Sequence, residues 1–246
     1  MKNIGIIPAR YNSTRLPGKP LIDLLGKSMI QRVYEQCQKA SSLDMVIIAT
    51  DDQRIFDHAK SFGAEVVMTG EHHNTGTSRC IEVAKKYTNA NIIVNIQGDE
   101  PTISPNQIDE LVAISGNGIA TQVKKLTIPE NLFDPNVVKV VFDKNFKALY
   151  FSRQAIPFGR NKEQVDWLQH HTYYRHIGLY SFDRTTLLQL DSLASSDLEN
   201  MESLEQLAWL QHGYNITVGI TTYESLSIDV PADVERVIQQ IEANNS

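Results

Sequence analysis

Short apolar runs alternate with helical segments through the first half of the chain, and this alternation restricts the fold more than any other feature. The runs are residues 4–7, 45–50, 64–68 and 91–96. Helices follow them, with capping residues such as Ser28, Asp52 and Ser104 at their starts. Strands and helices that alternate with short connections form a parallel, right-handed sheet. The sequence therefore predicts an α/β fold with a doubly wound, mostly parallel sheet.

The pattern changes after Gly118. Residues 137–142 and 148–152 are strand-like and a short turn apart, which favours antiparallel pairing. Further segments are a polar loop at 159–172, a strand at 173–182, a helix at 199–212, a strand at 216–222 and a last helix after Pro231. We expect a main α/β part over 1–125, an inserted mixed α+β subdomain over 126–212, and a return to the main sheet over 213–246.

Composition restricts the classes of function. The chain has 246 residues, a net charge of −6 and two cysteines, Cys37 and Cys80. A broad nucleic-acid surface is not expected on an acidic protein, so any anion site must be a local cationic cluster. Neither a disulfide framework nor a thiolate metal site is indicated. No signal peptide or membrane span is recognisable, so we expect a soluble, cytoplasmic protein without membrane insertion.

The loop after the first apolar run carries three cations, Arg10, Arg15 and Lys19. Open α/β sheets bind their ligands at the carboxyl ends of their strands. Several cations on such a loop favour a polyphosphate ligand. A solvated surface loop is the alternative, because arginine and lysine are usually exposed.

Two carboxylates follow strands at the same expected edge of the sheet. Asp99 comes after Gly98 at the end of the fourth strand, and Asp229 precedes the last helix. Mg²⁺ prefers oxygen ligands and often uses one or two carboxylates together with phosphates. Asp229 could instead cap the last helix, whereas the break at Gly98 directs Asp99 into a cleft.

Several segments resemble one known family. Pro8-Ala9-Arg10-Tyr11 and the run from Ser13 to Leu21 resemble the signature loop of the sugar-acid cytidylyltransferases, above all the 3-deoxy-manno-octulosonate (Kdo) cytidylyltransferases. Further similar segments are 95–101, 229–231, 49–52, 150–153 with 156–157, 176–180 and 204–207. Two positions depart from the family: Ser78 replaces an acidic residue and Ser227 replaces a glycine.

The resemblance implies a nucleotidyltransferase Rossmann-like fold, with nucleotide binding in 1–125. From the chain pattern we expect the inserted, strand-rich part over 126–212 to carry the acceptor site and the dimer contact. The implied activity is transfer of CMP from CTP to the anomeric hydroxyl of Kdo, giving CMP-Kdo and pyrophosphate for lipopolysaccharide synthesis. It also implies a homodimer and Mg²⁺ held by Asp99 and Asp229. CTP and Kdo are the expected partners, with no nucleic acid.

The resemblance also assigns site residues. Arg10, Arg15, Lys19 and Asp99 form the expected catalytic set. Nucleotide contacts are expected from Pro8, Ala9, Arg10, Ser13, Arg15, Lys19, Thr77 and Arg79. Sugar contacts are expected from Gln97, Arg153, His176, Tyr180, Glu205 and Gln206. Arg153 is the candidate partner of the sugar carboxylate. Because Glu205 and Gln206 are adjacent on a helix, we expect at most one to point straight at the ligand.

The sequence leaves two other functions open and disfavours a third. One altered contact could change the acceptor to another sugar acid, such as 8-amino-Kdo, since a tenfold preference needs only about 1.4 kcal/mol. A catalytically silent nucleotide-binding homologue could share the fold. An NAD oxidoreductase is disfavoured, because no glycine fingerprint is present.

Overall fold

The computed structural model describes residues 2–12 and 16–244, without the side chain of Asn244. Ser13 and Arg15 lie outside the described residues. The chain divides into two compact units. The first combines the residues up to Ala113 with those from Tyr223 onward, and the second is Ile114–Thr222. The sequence predicted boundaries at 125/126 and 212/213, whereas the compact units meet at 113/114 and 222/223.

The first unit contains the predicted parallel sheet. Its elements are β1 (Lys2–Ala9), β2 (Asp23–Leu24), β3 (Lys27–Ser28), α1 (Met29–Cys37), β4 (Met45–Thr50), α2 (Gln53–Ser61), β5 (Glu65–Met68), α3 (Gly76–Lys86), β6 (Ala90–Asn95) and α4 (Pro105–Ile114). Strand β1 pairs in parallel with β4 and β6, and β5 pairs in parallel with β4. The predicted α/β fold is confirmed here, whereas the small β2–β3 hairpin was not foreseen.

Helix starts in this unit follow the predicted capping chemistry. The Ser28 side chain accepts a hydrogen bond from the Gln31 N–H, and Asp52 accepts one from the Arg54 N–H. Thr75 caps α3 and forms a capping box with Ser78. Ser78, which departs from the family pattern, therefore has a structural role at the first turn of α3.

The second unit is built around β7. Its elements are β7 (Ile119–Lys125), α5 (Pro129–Phe133), β8 (Lys139–Phe142), β9 (Ala148–Ser152), α6 (Trp167–His170), β10 (Tyr174–Asp183), α7 (Arg184–Leu190), α8 (Asp197–Glu202), α9 (Glu205–Gln211) and β11 (Ile216–Ile220). Strand β7 pairs antiparallel with β10 and parallel with β11. The predicted antiparallel pairing of β8 with β9 is confirmed.

Two sequence predictions for this unit are wrong. The stretch 199–212 is not one helix, because Ser203 adopts a left-handed conformation with φ 52° and separates α8 from α9. The polar stretch 159–172 is not only loop, since it contains α6, whose Trp167 is buried. Both differences come from tertiary contacts, which the local pattern does not encode.

The last helix, α10 (Pro231–Asn244), belongs to the first unit. Its Val237 and Ile241 pack with Ile228, Leu24 and Met29 in one buried cluster. This packing fixes the chain on both sides of Asp229. Within the described residues, no helix is both long and apolar enough to cross a membrane.

Candidate active site

The ends of β1 and β6 bring two loops together. These strands run side by side in parallel, so the segments that leave them emerge at one edge. The chain after β6 passes close to β1, because a Cβ on Gly98 would lie 2.8 Å from the carbonyl oxygen of Pro8. This close approach requires glycine and sets the position of Asp99. Pro8 and Ala9, both predicted nucleotide contacts, therefore lie at this edge.

Lys19, Asp99 and Asp229 meet at this edge. The Lys19 Nζ lies 2.7 Å from Asp99 Oδ2 and 3.2 Å from Asp229 Oδ1. The Ile228 N–H donates to the Asp99 carbonyl at 3.0 Å, which ties the two carboxylate segments together. Lys19 is only 9% exposed, so its ammonium is largely shielded from water. The structure thus joins three predicted site residues that are far apart in the sequence.

Main-chain hydrogen bonds to Asp233 help to fix the position of Asp229. Asp233, one turn into α10, accepts hydrogen bonds from the N–H groups of Asp229 and Val230 at 2.9 and 3.0 Å. These bonds hold the pKa of Asp233 below its usual value. The Asp229 carboxylate also contacts Lys19, a contact that a helix cap does not require.

The base of the cationic loop is held by Tyr11. The Gly18 N–H donates to the Tyr11 carbonyl at 2.9 Å, and Gly18 has a φ of 70° that favours glycine. The Arg54 guanidinium lies 3.3 Å from the centre of the Tyr11 ring, at a distance typical of a cation–π contact. Arg54 thus holds Tyr11, and the Tyr11 carbonyl in turn holds Gly18, the residue just before Lys19. Arg10 is exposed, and the predicted contacts of Ser13 and Arg15 fall outside the described residues.

Thr77 and Arg79 lie at the start of α3, and both are buried. The Arg79 guanidinium pairs with Asp51 at 2.7 Å and also donates to the Thr69 hydroxyl. It therefore holds the chain after β4 and after β5, and its predicted nucleotide contact stays a prediction. Asn95 donates to the Thr77 hydroxyl at 3.4 Å.

Asn95 is a further candidate site residue, which the sequence did not indicate. Its Oδ1 is buried and has no hydrogen-bond partner among residues 2–12 and 16–244. A buried acceptor without a partner is costly, so a ligand donor placed here would be stabilising. Its position at the last residue of β6 is the signal that could have identified it.

In the second unit, His176 and Tyr180 lie on β10. Their ring centroids are 5.2 Å apart. Burial lowers the pKa of His176 to about 3 and raises that of Tyr180, with the charge of Glu205 adding to the shift of Tyr180. Both side chains are therefore neutral at physiological pH. The Tyr180 hydroxyl is buried and has no hydrogen-bond partner within the described part of the chain.

Arg153 is bound mainly by main-chain carbonyls. Its guanidinium donates to the carbonyls of Glu202, Pro135 and Ser203 at 2.7, 2.9 and 3.3 Å. These contacts use three of its five N–H groups. The Glu202 carboxylate in turn accepts from the Ser152 hydroxyl and from the Arg153 main-chain N–H.

This network anchors the end of α8, just before the predicted sugar residues Glu205 and Gln206 at the start of α9. Gln206 is 5% exposed, and Glu205 is half-buried. Glu202 was missed because nothing in its local sequence indicates the contact. Gln97 is half-buried immediately after β6, in the first unit.

The site residues thus fall into two sets, one in each unit. Within the described residues, no group of three or more His, Cys, Asp or Glu side chains is arranged to hold a metal ion. The oxygen donors of Asp99 and Asp229 suit a hard cation that takes its remaining ligands from phosphate and water.

Comparison with known proteins identifies the class. A family model described as a cytidylyltransferase matches residues 4–217, and the chain belongs to this family.

Individual proteins similar to this chain indicate a particular kind of cytidylyltransferase. The chain is 51% identical to the 3-deoxy-manno-octulosonate cytidylyltransferase of Parabacteroides distasonis, over 97% of both chains. It is 50% identical to the protein of that name from Bacteroides thetaiotaomicron, over 96% of both. A solved structure of CMP:2-keto-3-deoxy-manno-octonic acid synthetase complexed with CTP matches with a TM-score of 0.91 and 36% identity, covering 99% of this chain and all of that one. The resemblance to Kdo cytidylyltransferases is therefore confirmed.

Proposed function

We propose that the protein transfers CMP from CTP to the anomeric hydroxyl of 3-deoxy-D-manno-octulosonate, giving CMP-Kdo and pyrophosphate. The observation that carries this proposal is the contact of Lys19 with Asp99 and Asp229 at the sheet edge. This arrangement occurs in a chain that is about half identical to named Kdo cytidylyltransferases. A cation beside paired carboxylates suits the positioning of a nucleoside triphosphate.

In the proposed reaction, the anomeric hydroxyl oxygen attacks the α-phosphorus of CTP. The bond from that phosphorus to the bridging oxygen breaks, and the electron pair leaves with pyrophosphate. The hydroxyl proton is released during the attack. Lys19 and Arg10 would bind phosphate oxygens and stabilise the charge that develops on the leaving group, with Arg15 expected to do the same. The chain contributes position and electrostatics rather than covalent chemistry.

We also propose that Asp99 and Asp229 hold Mg²⁺. Bound there, the ion would polarise a phosphate oxygen and help to activate the hydroxyl. Carboxylate oxygens such as those of Asp99 and Asp229 are the ligands that Mg²⁺ prefers, which supports this proposal. Their rigid backbone ties, through Ile228 and Asp233, favour the fixed geometry that Mg²⁺ requires.

The acceptor is assigned mainly to the second unit. Neutral His176 and Tyr180 can exchange hydrogen bonds with sugar hydroxyls without a charge cost. Arg153 has two N–H groups beyond its carbonyl bonds with which to meet the sugar carboxylate. Gln97 and one of the adjacent pair Glu205 and Gln206 are proposed to bind further hydroxyls.

The test is pyrophosphate release by purified protein with Mg²⁺, CTP and Kdo. We expect release with CTP and Kdo, and a loss of about a hundredfold or more in Asp99→Ala. Asp57→Ala is the matched control, because Asp57 is an exposed residue on α2. Release only with another acceptor, such as 8-amino-Kdo, would keep the mechanism and change the substrate. If the protein binds CTP but shows no turnover with any acceptor, the proposed activity is refuted, and the protein is a catalytically silent nucleotide-binding homologue.

We further propose a homodimer formed through the second unit. Phe158 and Phe133 are 74% and 41% exposed, and both pack on Trp167. Exposed aromatic groups of this kind often mark association surfaces. Light scattering should report a dimer for the wild type and a weakened one for Phe158→Ser. Met201→Ser, at an 85% exposed position, is the control. A monomeric wild type would contradict the proposal.

The proposed cellular role follows from the product. CMP-Kdo would supply lipopolysaccharide synthesis, and the enzyme would act in the cytoplasm, where CTP is available. Isolation of the protein with the membrane fraction of lysed cells would contradict this placement.

A further inference from the structure

Thr121 on β7 is fully buried, and its hydroxyl touches β10 at three places. The Oγ1 lies 3.0 Å from His176 Nε2, 3.1 Å from the Ile177 carbonyl oxygen and 2.9 Å from the Leu179 carbonyl oxygen. The register of β10 against β7 shifts between Ile177 and Tyr180. Such an irregularity changes the direction of nearby groups, and here it directs two carbonyls at one hydroxyl.

These contacts determine where the imidazole proton lies. A threonine hydroxyl has one proton to donate, and carbonyl oxygens can only accept. The Thr121 proton must therefore face the two carbonyls, which leaves an oxygen lone pair towards His176. The Nε2 atom must then carry the proton of the neutral ring. The opposite tautomer would set the hydroxyl oxygen against two carbonyl oxygens without a proton between them.

We propose that Thr121 is a positioning residue that fixes His176 as the Nε2–H tautomer and thereby presents Nδ1 as a hydrogen-bond acceptor to a hydroxyl of the acceptor substrate. This inference rests on the proposed function, in which His176 contacts the sugar. Nδ1 has no hydrogen-bond partner among the described residues. The lowered pKa of His176 agrees with a ring that stays neutral.

The direct test is the tautomer itself, read by long-range ¹H–¹⁵N correlation spectra of protein labelled at histidine. The chain has seven histidines, and the signal missing from His176→Gln assigns the relevant ring. We expect wild type and Thr121→Ser, which keeps the hydroxyl, to show a protonated Nε2. Thr121→Val, which keeps the shape but removes the hydroxyl, should show a mixture of tautomers. Thr217→Val, the same change on β11, should leave the His176 signal unchanged.

Kinetics give the second readout. Thr121→Val should raise the KM for Kdo about tenfold, an effect of about 1.4 kcal/mol, and leave the KM for CTP unchanged. Thr121→Ser should restore the KM for Kdo. A protonated Nδ1 in wild type would overturn the proposal, and so would an unchanged tautomer in a folded Thr121→Val. If Thr121→Val does not fold, the spectra of wild type and Thr121→Ser still test whether Nε2 carries the proton. Absence of turnover with Kdo would refute the proposed function while the spectra still report the tautomer.

Discussion

At the scale of single residues, Gly98 controls the position of Asp99. A Cβ at this position would lie 2.8 Å from the Pro8 carbonyl oxygen, and β1 cannot yield because it pairs on both sides. We expect Gly98→Ala to lower the free energy of unfolding by about 1–3 kcal/mol. Turnover with CTP and Kdo should fall more than the stability loss alone explains, since Asp99 shifts with the chain.

The matched control for this change is Gly116→Ala. A Cβ at Gly116 would meet nothing within 4 Å, so stability should stay within about 0.5 kcal/mol of wild type. Urea unfolding and pyrophosphate release measure both variants. Equal stability and activity in the two variants would show that the contact with Pro8 does not fix Asp99.

The sequence did not reveal which protein groups bind the arginine side chains of the site. The sequence predicted that Lys19, Asp99 and Asp229 lie at one edge of the sheet, and the structure brings their side chains into contact. The sequence also offered Arg79 and Arg153 as ligand contacts. The structure shows both guanidiniums bound to protein oxygens. Which groups satisfy a guanidinium depends on carbonyls that lie far away in sequence, and no local pattern records them.

At the scale of elements, Glu82 on α3 connects the helix to the loop that precedes it. Its carboxylate accepts from the Gly70 N–H at 2.8 Å and from His73 Nε2 at 2.7 Å, and it pairs with Lys86 at 3.0 Å. Partial burial acts to raise the pKa of Glu82, but the hydrogen bonds outweigh it and lower the pKa to about 2. The carboxylate is thus ionised in the folded protein well below its usual pKa of 4.5.

A lowered pKa in the folded state means that Glu82 stabilises the fold above pH 4.5, and that this contribution is lost as the pH falls towards 2. We expect Glu82→Gln to lower the free energy of unfolding by about 2 kcal/mol at pH 7. The difference from wild type should shrink between pH 5 and pH 3. Urea unfolding at several pH values measures it.

The control for this prediction is Glu71→Gln, at an exposed position in the same loop. It should change stability little at any pH. A difference for Glu82→Gln that stays constant from pH 7 to pH 3 would show that the charge of Glu82 is not what matters.

The elements themselves were predictable to different degrees. Strands β1, β4, β5 and β6 follow from their apolar runs, and α1 to α4 from their capping residues. The break between α8 and α9 was not predictable. Ser203 is held in a left-handed conformation while its carbonyl, like that of Glu202, binds Arg153. The amphipathic pattern continues across this break, so periodicity alone predicts one helix.

At the scale of the whole molecule, the proposed ligand contacts separate by unit. Lys19, Thr77, Asp99 and Asp229 belong to the first unit, and the sugar residues to the second, with Gln97 as the exception. The sequence predicted a main part and an inserted part. The pattern of strands and helices along the chain shows where the alternation stops, but not which segments pack together. The compact units are set by three-dimensional contacts, which return the chain to the first unit at Tyr223.

This separation predicts where hydrogen exchange responds to each substrate. A ligand that binds only the folded state stabilises it by about 2.7 kcal/mol at a hundredfold excess over Kd, and amides near its contacts are protected most. CTP with Mg²⁺ should slow exchange at residues 18–21 and 96–101, in the first unit. Kdo should slow exchange at residues 174–180 and 204–207, in the second. Asp99→Ala should lose the protection by CTP while it keeps any protection by Kdo alone. Protection by CTP at 174–180 but not at 18–21 would contradict the assignment of the nucleotide to the Lys19 site.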